Sequence, residues 1–332
     1  MRKTAIAIAT LGLFVQAGAA SARNIVLSND DGLTSNVLAL YKALKEDGHD
    51  VIVSVPCQNQ SGMGAAILVG RPLTPLKQNC LADAAEAGAP AAGPMTREGL
   101  PGGDFFYVDG TPVMSMLYGV DVLGQKRWGR APDLVLSGPN EGQNVGAIVL
   151  SSGTVSNAQY AAVLGHPAIA LSAGARTVDE EGLDHPDSAT VAALSADLVE
   201  ALAERAGDGP MLPAGIALNV NFPDRLDGAE WRLSRIGTYN AYAMSFSDDM
   251  AASATPVMKA MAAERGMEIP ALPGLSFGMN TAKSTQEQAS DESIVYRSAI
   301  AVSPMQAGYA AGAADEALIA EKLAGFLTAP AE

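Results

Sequence analysis

The chain has 332 residues, a net charge of −15 at neutral pH and only 5% aromatic residues. A surface this acidic repels the phosphate backbone of nucleic acids, and the sequence has no basic run that would bind such a polymer. We therefore expect neither a nucleic-acid polymer among the partners nor an aromatic surface for stacking bases.

Residues 1–22 have the organisation of a secretory signal peptide. Arg2 and Lys3 precede an apolar run over residues 5–15, and small residues lead to a cleavage site after Ala22. The apolar run is too short to span a membrane. We expect a periplasmic or secreted protein that is not attached to a membrane and begins at Arg23, with a net charge of −17 once Arg2 and Lys3 are removed.

Strands and helices alternate from residue 24 to about residue 172, which predicts a Rossmann-like, doubly wound α/β fold with a mostly parallel sheet. The predicted strands are an opening one from residue 24 and then residues 50–55, 104–108, 134–136, 168–171 and 216–221. The predicted helices are residues 36–47, a helix capped by Thr111 with Pro112 at its first position, a helix ending at residue 164, and residues 188–205 with Ser188 as N-cap.

Two segments differ from this alternating pattern. Residues 83–103 are rich in Ala, Gly and Pro and are expected to form a mobile insertion. The core would cover residues 23–243, and residues 244–332 would form a C-terminal extended arm or hairpin with a closing segment.

The first predicted strand ends at two adjacent carboxylates, Asp30 and Asp31. Ligands of open α/β sheets bind at this end of a strand. Neighbouring carboxylates repel each other unless a cation neutralises them, and oxygen ligands favour Mg²⁺, Mn²⁺ or Ca²⁺ over zinc. One hypothesis is a metal site, and the other is an Asp-Asp-Gly turn whose carboxylates only cap the next helix. This segment alone leaves both open.

Cys57 and Cys80 are the two cysteines of the chain. Their spacing fits neither a zinc site nor a redox Cys-x-x-Cys pair. In an oxidising compartment, two cysteines predict one disulfide.

Several small polar motifs follow predicted strands in a fixed order. They are S-N-D-D-G at residues 28–32, N-x-S-G at 59–62, G-T-P at 110–112, S-G-x-N-x-G at 137–142, S-G-T at 152–154 and L-N-x-N-x-P at 218–223. Together they resemble the SurE family of metal-dependent nucleotidases, also called survival proteins. The resemblance covers residues 24–172 well, residues 216–238 acceptably and the rest poorly.

The resemblance implies a site assembled from these motifs. Asp30, Asp31, Ser61 and Asn140 would ligate one divalent cation, Mg²⁺ or Mn²⁺, with Ca²⁺ possible in a crystal. Asp30 and Asp31 would also be the catalytic residues. The phosphate of a nucleoside monophosphate would be surrounded by Asn144, Ser152, Gly153 and Thr154. A turn role for Asn140 and a helix-capping role for Ser152 and Thr154 are the alternatives.

The sequence departs from the family pattern at three places. The loop before Ser61-Gly62 has Gln60 and lacks the usual basic residue, and Glu141 replaces a small neutral one. Residues 305–310 contain no Asp followed by Thr or His, which relatives tend to have after Ser-Pro. The expected function is hydrolysis of nucleoside 5'-monophosphates or similar small phosphate esters by a homodimer or homotetramer. The alternative is a metal-stabilised nucleotide-binding or phosphate-binding protein that has lost turnover.

Overall fold

The computed structural model describes residues 22–174, 176–179, 182–264 and 266–326, so the predicted signal peptide, apart from Ala22, lies outside it. The described strands are β1 (Asn24–Ser28), β2 (Asp50–Pro56), β3 (Ala92–Pro94), β4 (Phe105–Val108), β5 (Leu134–Glu141), β6 (Ala168–Ala173), β7 (Ile216–Asn221), β8 (Trp231–Leu233), β9 (Tyr242–Ser247), β10 (Gly274–Met279) and β11 (Ile300–Gln306). The α-helices are α1 (Ser35–Glu46), α2 (Pro112–Leu117), α3 (Gln125–Trp128), α4 (Gly153–Val163), α5 (Pro186–Ala206), α6 (Pro256–Glu264), α7 (Glu292–Val295) and α8 (Ala313–Lys322).

Within the described residues, nine strands form one sheet in the order β3-β4-β2-β1-β5-β6-β7-β11-β8. The strands from β4 to β7 in this order are all parallel. β3 and β11 run antiparallel to β4 and β7. The predicted α/β fold with a mostly parallel sheet is therefore confirmed.

The sheet is covered on both faces, which explains its continuous apolar strands. In β1, Ile25 and Leu27 belong to the core under α1 and α5, whereas Val26 belongs to the core under α2 and α4. The α4 side is packed with small residues such as Ala158 and Ala161, both fully buried. Their size lets this helix approach the sheet closely, next to the carboxyl ends of β1 and β5.

Residues 83–103, expected to be a mobile insertion, include part of the sheet and of the core, and their mobility stays a prediction. It contains β3, which extends the sheet by pairing antiparallel with β4. Ala84, Ala85 and Ala91 are buried, and the Tyr107 hydroxyl donates to the Pro90 carbonyl oxygen at 2.7 Å. The small alanine and glycine residues of this segment permit close packing. A high content of these residues therefore does not by itself indicate a mobile segment.

The start of α5 differs from the prediction. The N-cap is His185, whose Nδ1 accepts from the Asp187 N–H at 3.2 Å, and Pro186 occupies the first helical position. Ser188 lies inside the helix, where its hydroxyl contacts the Ser35 hydroxyl at 2.8 Å. The prediction of Ser188 as the N-cap is therefore wrong, because histidine is an uncommon cap and serine is a usual one.

The C-terminal part of the chain contains the expected hairpin. β9 and β10 pair antiparallel outside the main sheet, with Met244 opposite Phe277. The chain then returns to the core, because β11 lies between β7 and β8 in the main sheet. The closing segment is thus an internal strand of the core.

The predicted disulfide is present between Cys57 and Cys80, with an S–S distance of 2.06 Å. It joins the end of β2 to a segment that passes beside the loop carrying Ser61. The same loop contacts the turn after β1 through the Gln60 N–H, which donates to the Asp30 carbonyl oxygen at 2.7 Å. No helix in the described ranges has the length and apolar content that crossing a membrane requires.

Candidate active site

The turn after β1 places Asp30 and Asp31 at the carboxyl edge of the sheet. The Asn29 side chain closes this turn by donating to the Gly32 carbonyl oxygen at 2.7 Å and accepting from the Gly32 N–H at 3.1 Å. Gly32 has a φ of +90°, which favours glycine. No role was predicted for Asn29, although an Asn three positions before a glycine is a signal for such a turn.

Asp31 is 2% exposed and is fixed by three donors. Its carboxylate accepts from the Glu141 backbone N–H at 3.0 Å, the Asn59 side-chain amide at 3.2 Å and the Ser61 hydroxyl at 3.4 Å. Ser61 therefore lies beside Asp31, where the sequence placed it, and Asn59 of the same loop is an additional contact.

The hydroxyl group of Thr154 links Asp30 to Asn140, and all three are predicted site residues. The Thr154 Oγ1 atom lies 2.5 Å from Asp30 Oδ1 and 2.9 Å from Asn140 Oδ1. A threonine hydroxyl carries a single hydrogen, so it cannot donate fully to both oxygens. The Thr154 Oγ1, Asp30 Oδ1 and Asn140 Oδ1 atoms thus lie close together and share one hydrogen. A cation or an additional proton would offset the repulsion between these oxygen atoms.

Gly153 allows α4 to approach Asp30 closely. A Cβ atom at this position would lie 2.6 Å from Asp30 Cβ and 2.8 Å from Asp30 Oδ2. The first turn of α4 therefore lies against Asp30, and any larger residue there would displace the carboxylate. Ser152 is the N-cap of the helix, with its Oγ accepting from the Val155 N–H at 3.1 Å.

The electrostatics of the pair favour a positive partner. Burial raises the pKa of Asp30, although hydrogen bonds from Thr154 and from the backbone of Gly153 oppose the shift. Burial, followed by the charge of Asp30, raises the pKa of Asp31 well above its usual range. Two carboxylates that are this costly to ionise together are stabilised as anions by a nearby cation.

The donor set fits a hard divalent cation. The candidate ligands are two carboxylates, one amide oxygen and one hydroxyl, all oxygen atoms, as Mg²⁺ and Mn²⁺ prefer. Among the described residues, no group of three or more His, Cys, Asp or Glu side chains could hold a metal ion. The candidate set contains two such side chains, those of Asp30 and Asp31, and its other two ligands are an amide oxygen and a hydroxyl oxygen.

A cavity of about 440 Å³ opens beside the pair. Of the predicted residues, Asp30, Ser61, Asn140, Asn144 and Ser152 line it, whereas Asp31, Gly153 and Thr154 do not. The hydroxyl group of Thr154 contacts Asp30 and Asn140. The proposed contact of Thr154 with phosphate stays a prediction, as do the phosphate contacts of Asn144, Ser152 and Gly153.

Asn144 is held from behind by buried polar side chains. Its backbone N–H donates to Asn221 Oδ1 at 2.8 Å, and its carbonyl oxygen accepts from Asn219 Nδ2 at 2.9 Å. Its own Nδ2 donates to the Ser172 hydroxyl at 3.0 Å. Asn219 also donates to the buried Glu292 carboxyl at 2.9 Å. The motif at residues 218–223 contains Asn219 and Asn221 but does not predict that they support Asn144. No sequence motif predicted a role for Glu292.

The chain matches the family model described as "Survival protein SurE" over residues 25–243. Three curated relatives are an acid phosphatase of Yarrowia lipolytica, a 5'-nucleotidase SurE of Solidesulfovibrio magneticus and a 5'/3'-nucleotidase SurE of Edwardsiella ictaluri. They are 34%, 35% and 34% identical over 61%, 60% and 64% of this chain and 57%, 65% and 69% of their own lengths. The chain thus spans about three fifths of the length of the first of these relatives.

The fold matches a crystal structure of a SurE protein from Aquifex aeolicus, with a TM-score of 0.61 and 23% sequence identity. The match covers 90% of this chain and 99% of that protein. The structural match therefore extends beyond residue 243, and the similarity of fold includes parts of the hairpin and of the closing segment.

Proposed function

Because the chain belongs to the SurE family, we propose that it is a divalent-metal-dependent phosphomonoesterase acting on nucleoside 5'-monophosphates or similar small phosphate esters. The convergence of Asp30, Asp31, Ser61 and Asn140 at one sheet edge, next to a cavity, is the observation that supports this most strongly. The names of the relatives, two nucleotidases and one acid phosphatase, point to the same reaction class.

The site residues divide into metal ligands, a positioning residue and an anion-binding helix start in this proposal. Asp30, Asp31, Ser61 and Asn140 would hold one Mg²⁺ or Mn²⁺, which when bound neutralises phosphate charge and lowers the pKa of a bound water. Thr154 orients the Asp30 and Asn140 oxygens from behind. The start of α4, with Ser152 on the cavity wall, favours a bound anion because backbone N–H groups and the helix dipole are directed toward it.

Location and assembly are further parts of the proposal. The signal-like sequence of residues 1–22 and the Cys57–Cys80 disulfide both support an oxidising compartment such as the periplasm. A homodimer or homotetramer is proposed from the family resemblance, and light scattering of the purified protein tests it.

The test of the reaction compares activity with metal binding. Chelator-treated protein should release phosphate from adenosine 5'-monophosphate only after Mg²⁺ or Mn²⁺ is restored. Asp30→Asn should lose most of the calorimetric Mn²⁺ binding and at least 100-fold in kcat/KM, because it removes one of two anionic ligands. Asp208→Asn changes an exposed Asp far along the chain and serves as the matched control. Full activity in Asp30→Asn would refute the metal assignment.

A binding protein without turnover is the second candidate. It is favoured by residues 305–310, where the Asp and the Thr or His of relatives are absent. Met305, Gly308 and Tyr309 of this segment line a separate apolar cavity with Val163 of α4, and none of them lines the cavity beside Asp30. Tight Mn²⁺ binding with no phosphate release from any ester, across several divalent metals, would decide for this candidate.

A further inference from the structure

The cavity beside Asp30 has two chemically different walls. One wall is polar and carries Asp30, Ser61, Asn140 and Ser152. Much of the rest of the lining is apolar and comes from the hairpin and α6, with Tyr242, Met244, Val257, Met261 and Phe277. A phosphate bound by the polar residues would leave the rest of its ester in the same cavity as these apolar residues.

The hairpin sorts its side chains by size. Met244 lies opposite Phe277, and Tyr242 lies opposite Met279, so large apolar residues share one face. The other face has small residues: a Cβ at Gly278 would already lie 3.1 Å from the Thr255 side chain. The segment that leads into α6 therefore packs against the small face, and Tyr242, Met244 and Phe277 of the large face line the cavity.

The side-chain amide nitrogens that line this cavity already donate to other groups of the protein. Among the described residues, the side-chain amides that line it are those of Asn140, Gln143 and Asn144. Their nitrogens donate to the Gly142 carbonyl oxygen at 2.7 Å, to Asp224 Oδ1 at 2.9 Å and to the Ser172 hydroxyl at 3.0 Å.

We infer that the site selects phosphate monoesters whose alcohol carries a flat, weakly polar ring, and that it recognises the ring by contact with Met244, Met261 and Phe277. This inference rests on the proposed phosphoester site. Thioether and aromatic side chains make favourable contacts with ring faces, and two unbranched methionines adapt to rings of different size. Purine and pyrimidine monophosphates are then bound similarly, whereas sugar phosphates without a ring system of this kind are bound weakly.

Binding is measured first with probes that cannot be hydrolysed. Calorimetry in the presence of Mn²⁺ compares benzylphosphonate with methylphosphonate, which share the phosphonate group and differ in the ring. Wild-type protein should bind benzylphosphonate at least tenfold more tightly. The double variant Met244→Gln/Met261→Gln, which nearly keeps side-chain size, should reduce this ratio about threefold to tenfold. Met267→Gln, an exposed methionine of the same arm that does not line the cavity, is the matched control and should leave the ratio as it is.

Turnover is measured in parallel with adenosine, cytidine and ribose 5-phosphates, all esters of a primary alcohol. The two nucleotides should have similar kcat/KM, each at least tenfold above that of ribose 5-phosphate. Equal phosphonate affinities, no phosphonate binding, or a preference that survives in the double variant would overturn the inference. Equal hydrolysis of all three esters would overturn it too while leaving the proposed reaction intact. A ring preference in binding with no hydrolysis would refute the proposed reaction and support the inference.

Discussion

The buried carboxyl of Glu292 should make the stability of this protein fall as pH rises through neutrality. Glu292 is fully buried at the start of α7, where it accepts from the Gly146 N–H at 3.0 Å and from Asn219 at 2.9 Å. Burial is the main reason that its pKa is raised from 4.5 to about 7, against the opposing effect of its hydrogen bonds.

The sign of the effect follows from which state binds the proton. Between pH 4.5 and about 7, the folded protein keeps a proton on Glu292 that the unfolded chain has released. The stabilisation is therefore complete below pH 4.5 and is lost as pH rises to about 7. A pKa difference of this size corresponds to about 3 kcal/mol in the free energy of unfolding.

Glu292→Gln keeps the size and an acceptor oxygen for Gly146 but removes the titration. Urea unfolding of both proteins at several pH values from 5 to 8, with a chelator present to exclude metal effects, measures the difference in free energy of unfolding. As pH rises from 5 to 8, the free energy of unfolding of the variant should increase relative to that of the wild type by roughly 2 to 3 kcal/mol. Glu204→Gln, at an exposed position of α5, should change it by less than about 0.5 kcal/mol. Parallel pH profiles for wild type and Glu292→Gln would refute the argument.

Three further predictions concern the site and its loop. Gly153→Ala should weaken calorimetric Mn²⁺ binding at least tenfold while the fold is kept, since the new Cβ would lie 2.6 Å from Asp30 Cβ; unchanged affinity would contradict the close contact. Replacing both Cys57 and Cys80 by Ser should lower the free energy of unfolding by about 3 kcal/mol, as the chain-entropy model gives for a loop of this length, and denaturant unfolding measures it. Glu141→Ala should lower KM for adenosine 5'-monophosphate by up to about tenfold at low ionic strength, because its carboxylate repels the phosphate; equal KM values for wild type and variant at low and high salt would show that Glu141 does not affect the substrate.

Local sequence patterns determined most of the core. Alternating apolar runs and capped helices identified the parallel strands, since each pattern depends on neighbours a few residues apart. The carboxyl-edge rule and the family motifs predicted that Asp30, Asp31, Ser61 and Asn140 lie at one edge of the sheet. Ser61 contacts Asp31, and Thr154 contacts both Asp30 and Asn140. The pairing of Cys57 with Cys80 followed because no other cysteine exists.

Tertiary packing decided the rest. The packing of residues 83–103 depends on an edge strand that forms only against β4. The sequence could not show that Thr154 faces Asp30, that Glu292 supports Asn219, or that Met244 and Met261 line the cavity. Each of these contacts joins residues far apart in the chain, and whether a side chain faces a ligand site or its supports depends on how α4, α6 and α7 pack. Local propensity carries no information about that packing, so the motifs determined which groups meet and the fold determined what each one faces.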